Sequence, residues 1–342
     1  MAVALEVNDL TTRFRTDDGV VKAVSGVSFS VDEGQTLGVV GESGSGKSVT
    51  FLTVMGLVDP KQSEVSGSVL LHGEEMLGAS QSRMREIRGV KIGMIFQDPM
   101  TSLNPVKTIG WQLEEAVLIH QDVSKKEARK RAIEVLKQVE IPHAERRVDG
   151  YPHQFSGGMR QRVMIAMALI NNPEILIADE PTTALDVTTQ AQILRLMERL
   201  QQEFRMAIVM ITHDLGVVAE LADDVIVMYG GRVVEESKVN DLFAKPEMPY
   251  TWGLLGSLPR LNSSGGRLEQ IPGQPPSLLH PPTGCPFNPR CEYVMSVCSE
   301  TLPDLRPSPV GDEHRFRCHL DDETRARIWS AKHASMVAED AA

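Results

Sequence analysis

The 342-residue chain has no cysteine before position 285, no surplus of basic charge and no long apolar run. Against 46 acidic side chains stand 35 Lys and Arg, a net charge of -11. Nucleic-acid binders hold phosphate backbones with an excess of Lys and Arg, and no basic stripe stands out, so no DNA or RNA partner is expected. Crossing a bilayer as a helix takes ~18 or more consecutive apolar residues, which no segment approaches. A secretory leader needs a basic start and an apolar core, whereas Glu6 and Asp9 lie where these would be. The expectation is a cytosolic chain that does any membrane work through a partner. Its length suits one large α/β domain with an appendage.

What is present begins with Gly41-Glu42-Ser43-Gly44-Ser45-Gly46-Lys47-Ser48, a match to G-x-x-x-x-G-K-S. In such a loop the glycines let successive backbone N–H groups curl around phosphate, the lysine reaches the outer phosphates, and the serine offers its hydroxyl to Mg²⁺. The match follows an apolar strand, Leu37-Gly38-Val39-Val40, and precedes a helical pattern starting at Val49, the context it requires. A second apolar strand, Ile175-Leu176-Ile177-Ala178, ends in Asp179 and Glu180 and supplies the acids of a nucleotide site. Glu180 could also serve only as a cap on the Pro181-Thr182-Thr183 turn, but a strand-end acid beside a metal is where a base must sit.

Residues 3–36 alternate apolar and polar positions around Asp17-Asp18-Gly19, predicting antiparallel strands in an edge sheet beside the phosphate-loop strand. Ser124 and Glu127 make a capping box ahead of Ala128, Ala132, Val135, Leu136 and Val139 on one face, predicting a helix over 124–140. With residues 107–121 it suggests a helical insertion. A helix near 188–203 followed by the strand Ala207–Thr212 makes a strand-helix-strand unit, hence a parallel sheet. Val225 to Glu235 reads as a hairpin turned at Gly230-Gly231. Of 20 prolines, 11 fall between Pro259 and Pro309, so that part is expected to hold only short elements and little core. The division expected is a nucleotide-binding domain over 1–245 with a helical subdomain at about 100–155, a Pro-rich linker over 246–284, a Cys-rich region over 285–325, and a tail over 326–342.

Phe155-Ser156-Gly157-Gly158-Met159-Arg160-Gln161 resembles the signature of the ATP-binding cassette (ABC) ATPases. Gln97 after an apolar strand, Ala184-Leu185-Asp186 after the acidic strand and His213 after the next strand stand in that family's order. A narrower resemblance runs through Phe96-Gln97-Asp98-Pro99-Met100-Thr101-Ser102-Leu103-Asn104-Pro105, Tyr151-Pro152-His153-Gln154, Pro249-Tyr250-Thr251 and Cys285-Pro286-Phe287-Asn288-Pro289-Arg290-Cys291. These look like the ATPase subunits of oligopeptide and dipeptide importers, and nickel-uptake ATPases share much of the pattern.

The resemblance implies an ABC-type core that binds ATP and Mg²⁺. Ser43, Gly44, Ser45, Gly46, Lys47, Ser48 and Val49 would surround the phosphates, and Phe14 would stack on adenine. Ser48 and Gln97 would ligate Mg²⁺, with Asp179 on a metal-bound water. Glu180 would polarise the attacking water, while His213 would contact the terminal phosphate and link Glu180 to Asp186 across a dimer. Ser156, Gly157 and Gly158 would face the partner's ATP in a head-to-tail dimer. The implied partners are a second, related ATPase, two transmembrane permease subunits and an extracytoplasmic substrate-binding protein, with this chain peripheral on the cytoplasmic face. Trp111 and Leu103 would lie where permeases dock. A soluble ABC ATPase acting on ribosomes or DNA, from a different class, usually has two nucleotide-binding domains or a long coiled coil; here there is one phosphate loop and no sustained heptad pattern.

Cys285, Cys291, Cys298 and Cys318 are spaced C-x5-C-x6-C-x19-C, with His280, His314 and His319 nearby. Structural zinc favours ligand pairs about two to four residues apart, which these gaps fit poorly. A [4Fe–4S] cluster takes four thiolates at varied spacing, and unliganded thiols are the third possibility. The tail resembles those of peptide-importer ATPases in which such a cluster is bound.

Overall fold

The computed structural model describes residues 2–98, 102–183, 185–257, 270–309 and 311–340. Pro99, Met100 and Thr101 of the segment after Gln97, Ala184, and residues 258–269 at the start of the proline-rich stretch lie outside them. From the N-terminus, β1 (Val3–Thr16) and β2 (Gly19–Asp32) lead to β3 (Thr36–Val40) and α1 (Lys47–Val54). Next come β4 (Ser63–Leu71), β5 (Glu74–Glu75), α2 (Gln81–Ile87), β6 (Ile92–Ile95), α3 (Ile109–Leu118), α4 (Lys125–Gln138), α5 (Ala144–Arg147) and α6 (Gly157–Leu169). They are followed by β7 (Ile175–Asp179), α7 (Val187–Phe204), β8 (Ala207–Thr212), α8 (Leu215–Leu221), β9 (Asp224–Tyr229) and β10 (Arg232–Lys238). The last elements are α9 (Val239–Ala244), α10 (Pro249–Gly256), α11 (Ser296–Glu300), β11 (Arg306–Ser308), β12 (Gly311–Phe316) and α12 (Asp322–Asp340).

The chain divides into two compact units, Met1–Glu6 with Ser30–Thr36 and Leu70–Ile211, and Val7–Phe29 with Leu37–Val69 and Thr212–Ala342. In the first, β6, β7 and β8 pair in parallel, with Ile95 opposite Ala178 and Asp179 opposite Ile211. Every residue of β7 and β8 is buried, as expected for parallel strands covered on both faces. Helix α7 makes the crossover between them and turns Ile193, Leu196, Met197 and Leu200 inward. Helices α3 and α4 pack together. Thr108 caps one and Ser124 the other, each accepting from a backbone N–H three residues on. Ala128, Ala132, Val135 and Leu136 face inward at helical spacing. The Ser124 capping box is only half made in this structure: the Glu127 carboxylate pairs instead with Arg131 at 3.4 Å.

In the second unit, β1 and β2 turn at Asp17-Asp18, and β3 runs parallel to β9, with Val40 opposite Val227. β9 and β10 form the expected hairpin, with Gly230 and Gly231 at φ 57° and 77°. Two further strands extend this sheet, β12 against β10 and β11 against β12.

The proline-rich end departs from expectation. Residues 249–256, read as linker, form α10 with Tyr250, Thr251 and Trp252 buried. Trp252, Tyr250, Phe287, Cys285, Cys298, Leu320 and Trp329 share one core cluster with Tyr229, Val225 and Val227 of the sheet, so this end builds substantial core of its own. Trp329, within the expected tail, is 8% exposed. Prolines interrupt regular elements without preventing the segments between them from burying aromatic surface.

Candidate nucleotide site and the C-terminal thiols

The phosphate loop lies in the second unit. β3, buried throughout, delivers the chain into Gly41, and α1 starts at Lys47. Gly46, the residue before the helix, has φ 100°, and a Cβ there would come within 2.5 Å of the Ala23 carbonyl oxygen, so both conformation and space demand glycine. Lys47 is 5% exposed; its Nζ donates to the carbonyls of Gly41 at 2.6 Å and Glu42 at 2.9 Å. Ser45 is buried, Ser43 and Gly44 are exposed, and Ser48 and Val49 are half-buried at the start of α1. A 2.9 Å hydrogen bond between the Thr12 and Thr53 hydroxyls ties α1 to β1. Phe14 is half-buried on β1 between exposed Arg13 and Arg15. His213 is exposed immediately after β8, and Asp214 caps α8 through Gly216 N–H at 2.8 Å.

The acids lie in the first unit. Asp179 closes β7 and is 5% exposed. Glu180 follows with φ 48°, a left-handed conformation uncommon for a non-glycine residue and found preferentially at functional sites. Its carboxylate accepts from Gln97 Nε2 at 2.9 Å and from Thr183 Oγ1 at 2.9 Å. Two residues 83 apart in sequence are thereby brought into contact, and the turn-capping contact with Thr183 is made as well. Ser156 caps α6, its Oγ accepting from Met159 N–H. A Cβ on Gly158 would meet Thr189 Cγ2 at 2.7 Å, so the signature glycine also lets α6 approach the start of α7. Asp186 caps α7, accepting from Thr189 N–H at 3.0 Å and Thr189 Oγ1 at 2.7 Å, and these bonds hold its carboxyl below the usual range.

The four cysteines are free and all line one cavity, together with Met248, Phe287 and Tyr293. Burial pushes the thiol of Cys285 up to about 11 and that of Cys291 up to about 12, and raises Cys318. Among the described residues, no group of three or more His, Cys, Asp or Glu side chains is arranged to hold a metal ion, so the expected [4Fe–4S] centre gains no support there. Two of the three nearby histidines are otherwise engaged: His314 Nε2 meets Glu235 Oε1 at 2.8 Å and His319 Nε2 meets the Thr301 carbonyl at 2.8 Å. Leu103, expected at a docking surface, is 3% exposed and belongs to the core, whereas Trp111 is 41% exposed beneath Lys107.

Sequence reading missed two residues that touch the phosphate loop. Tyr250 Oη accepts from Glu42 N–H at 2.8 Å, and Arg290 pairs with the Glu42 carboxylate. Nothing in their spacing signals this, because they lie 208 and 248 residues from Glu42.

A strand-loop-helix phosphate site and a parallel sheet ending in adjacent acids define a P-loop ATPase, and the comparisons narrow the class. The ABC transporter family profile matches residues 24–183, and the profile of the oligopeptide/dipeptide transporter C-terminal region matches residues 234–298. A dimeric ATP-binding cassette solved in a post-hydrolysis state with ADP and Pi superposes with a TM-score of 0.62 at 32% identity, covering 69% of this chain and 98% of its own. The oligopeptide transport ATP-binding protein OppD of Salmonella typhimurium is 52% identical over 301 residues, covering 88% of this chain and 90% of that protein. The dipeptide transport ATP-binding protein DppD of Bacillus subtilis is 51% identical over 324 residues, covering 94% and 96%. The chain belongs to the ABC transporter ATPases and, within them, to the oligopeptide/dipeptide transport ATP-binding family. It is an ATP-hydrolysing transporter subunit.

Proposed function

We propose that this chain hydrolyses ATP to drive inward transport of oligopeptides or dipeptides through separate membrane subunits. The observation that carries the reading is the identity of about half of all positions with named peptide-transport ATPases across nearly the whole chain. The partners proposed are a second ABC ATPase, two permease subunits and an extracytoplasmic binding protein, with this chain peripheral on the cytoplasmic face. Among the described residues, no helix is long and apolar enough to cross a membrane. The domain division proposed keeps 1–245 as the nucleotide-binding domain and assigns 246–256 to the C-terminal region rather than to a linker.

In the chemistry proposed, phosphate oxygens compete with the Gly41 and Glu42 carbonyls for the Lys47 ammonium, and the loop amides from Ser43 to Ser48 with the start of α1 stabilise the remaining charge. Ser48 and Gln97 carry hard oxygen donors of the kind Mg²⁺ takes, which supports the ligand roles their resemblance implies, with Asp179 on a metal-bound water; Mg²⁺ would neutralise phosphate charge when bound. Glu180 orients and deprotonates the attacking water, positioned by Gln97 on one side and Thr183 on the other. His213 would contact the terminal phosphate. Ser156, Gly157 and Gly158 would serve the partner's nucleotide, which makes the working unit a closing and opening dimer.

Glu180→Gln should cut ATP hydrolysis by the assembled transporter at least ~100-fold while leaving nucleotide bound. Lys47→Ala should instead weaken binding. A Glu180→Gln transporter that keeps a tenth of its rate would remove Glu180 as the base.

For the thiols, the reading proposed is a [4Fe–4S] cluster, supported by the resemblance of the tail to those of cluster-binding peptide-importer ATPases and by spacings that fit zinc poorly. Its role would be structural. Chain purified without oxygen should contain about four iron and four acid-labile sulfides; zinc, or no metal, would refute it.

A further inference from the structure

The phosphate loop carries a carboxylate of its own, and the C-terminal region holds it. Arg290 Nη1 lies 2.5 Å from Glu42 Oε2, and Nη2 lies 3.0 Å from Glu42 Oε1. The Arg290 side chain is 5% exposed and that of Glu42 27%, so the pair is shielded from solvent. The guanidinium is itself fixed, donating from Nε to the Pro272 carbonyl at 2.8 Å and from Nη1 to Tyr229 Oη at 3.2 Å. The Glu42 N–H donates to Tyr250 Oη and its carbonyl accepts from Lys47 Nζ. One loop residue is thus held at three points, two of them supplied by the C-terminal region.

A bare carboxylate in a loop that takes polyphosphate would repel it, and a fixed bidentate arginine removes that charge and sets the direction of the side chain. We propose that Arg290 and Tyr250 latch the C-terminal region onto the phosphate loop, with Arg290 a positioning residue that neutralises Glu42 and so sets nucleotide affinity. The inference rests on Gly41–Ser48 being the phosphate-binding loop. Arg290 directly precedes Cys291, so the thiol cavity and the loop are joined through one short segment.

The test is a double-mutant cycle on the full chain, titrated with a fluorescent ATP analogue and melted thermally. Arg290→Gln should weaken the analogue roughly tenfold, because Glu42 is then left charged beside the phosphates. Glu42→Gln, which leaves the Arg290 charge uncompensated near the phosphates, should bind the analogue at least as tightly as the parent, and the double variant, with both charges gone, should return to within about twofold of the parent. Arg290→Lys, which keeps the charge, should recover most of the affinity and guards against a fold defect in the glutamine variant. An Arg290→Gln protein with unchanged affinity would overturn the latch, as would a double variant as weak as Arg290→Gln alone, which marks a purely structural arginine. Lys47→Ala is the separate control: if it leaves affinity intact, the phosphate-loop reading fails and the latch with it.

Discussion

Replacing Glu235 tests how the C-terminal region is held to the sheet. Its side chain is wholly buried on β10 and serves four partners: Glu247 N–H at 2.5 Å, Met248 N–H at 3.1 Å, the Thr251 hydroxyl, and His314 Nε2 at 2.8 Å. The two amides lie at the entry to α10, where the helix has no side-chain cap of its own, so the carboxylate does the work of one. Glu235→Ala would orphan both amides and the hydroxyl. At ~1–3 kcal/mol for each buried unsatisfied donor, reduced by water entering the space, the total comes to about 4 kcal/mol. Glu235→Gln keeps one acceptor oxygen but turns an amide N–H₂ toward donors, and should cost about half as much. The assay is urea unfolding in a Trp111→Phe background, where Trp252 and Trp329 report on this core. Thr251→Val alone should cost about 1 kcal/mol and add almost nothing to Glu235→Ala, since the two share a bond. A Glu235→Ala cost below about 1 kcal/mol would refute the claim that this carboxylate organises the region.

Other outcomes follow from the first unit. Burial raises the Glu140 carboxyl, but hydrogen bonds and charge from Arg162 and then Arg199 outweigh it and leave its value depressed. The stability it contributes is therefore present above the unfolded-state value and lost as pH falls through the folded-state one. With its side chain 51% exposed, Glu140→Gln should cost only about 0.5–1 kcal/mol near neutrality and nothing in strong acid, a difference read from denaturation at two pH values. Trp111→Ala should lower transport in reconstituted vesicles while leaving soluble hydrolysis and melting temperature close to the parent, because that ring is exposed. Leu103→Ala should instead lower stability by about 2–4 kcal/mol as a core cavity; equal loss of soluble hydrolysis in Trp111→Ala would remove the docking role.

Local signals were enough for much of the chain. The parallel strands at 175–179 and 207–212, helix α4 with its Ser124 cap, and the hairpin at Gly230-Gly231 could all be read directly, because periodicity, capping and turn chemistry act over a few neighbouring residues. The phosphate loop, the strand-end acids and the signature were legible for the same reason, being continuous stretches whose chemistry depends on spacing. The proline-rich end was misjudged. Composition there predicts short elements, and they are short, but α10 is buried by aromatics from Tyr229, Phe287 and Trp329, which no window of sequence brings together. The strands β11 and β12 are equally silent, since Arg306-Pro307-Ser308 has no strand pattern until β12, already paired with β10, offers it an edge. The four thiols converge on one cavity, and Glu42 finds Arg290, only once the chain has folded back across 248 residues. Sequence determined which local chemistry this protein carries, because that chemistry is encoded by neighbours. Tertiary structure decided which distant charges are paired and which prolines sit in a core, because burial and hydrogen-bond satisfaction are set by whatever the fold packs against a residue.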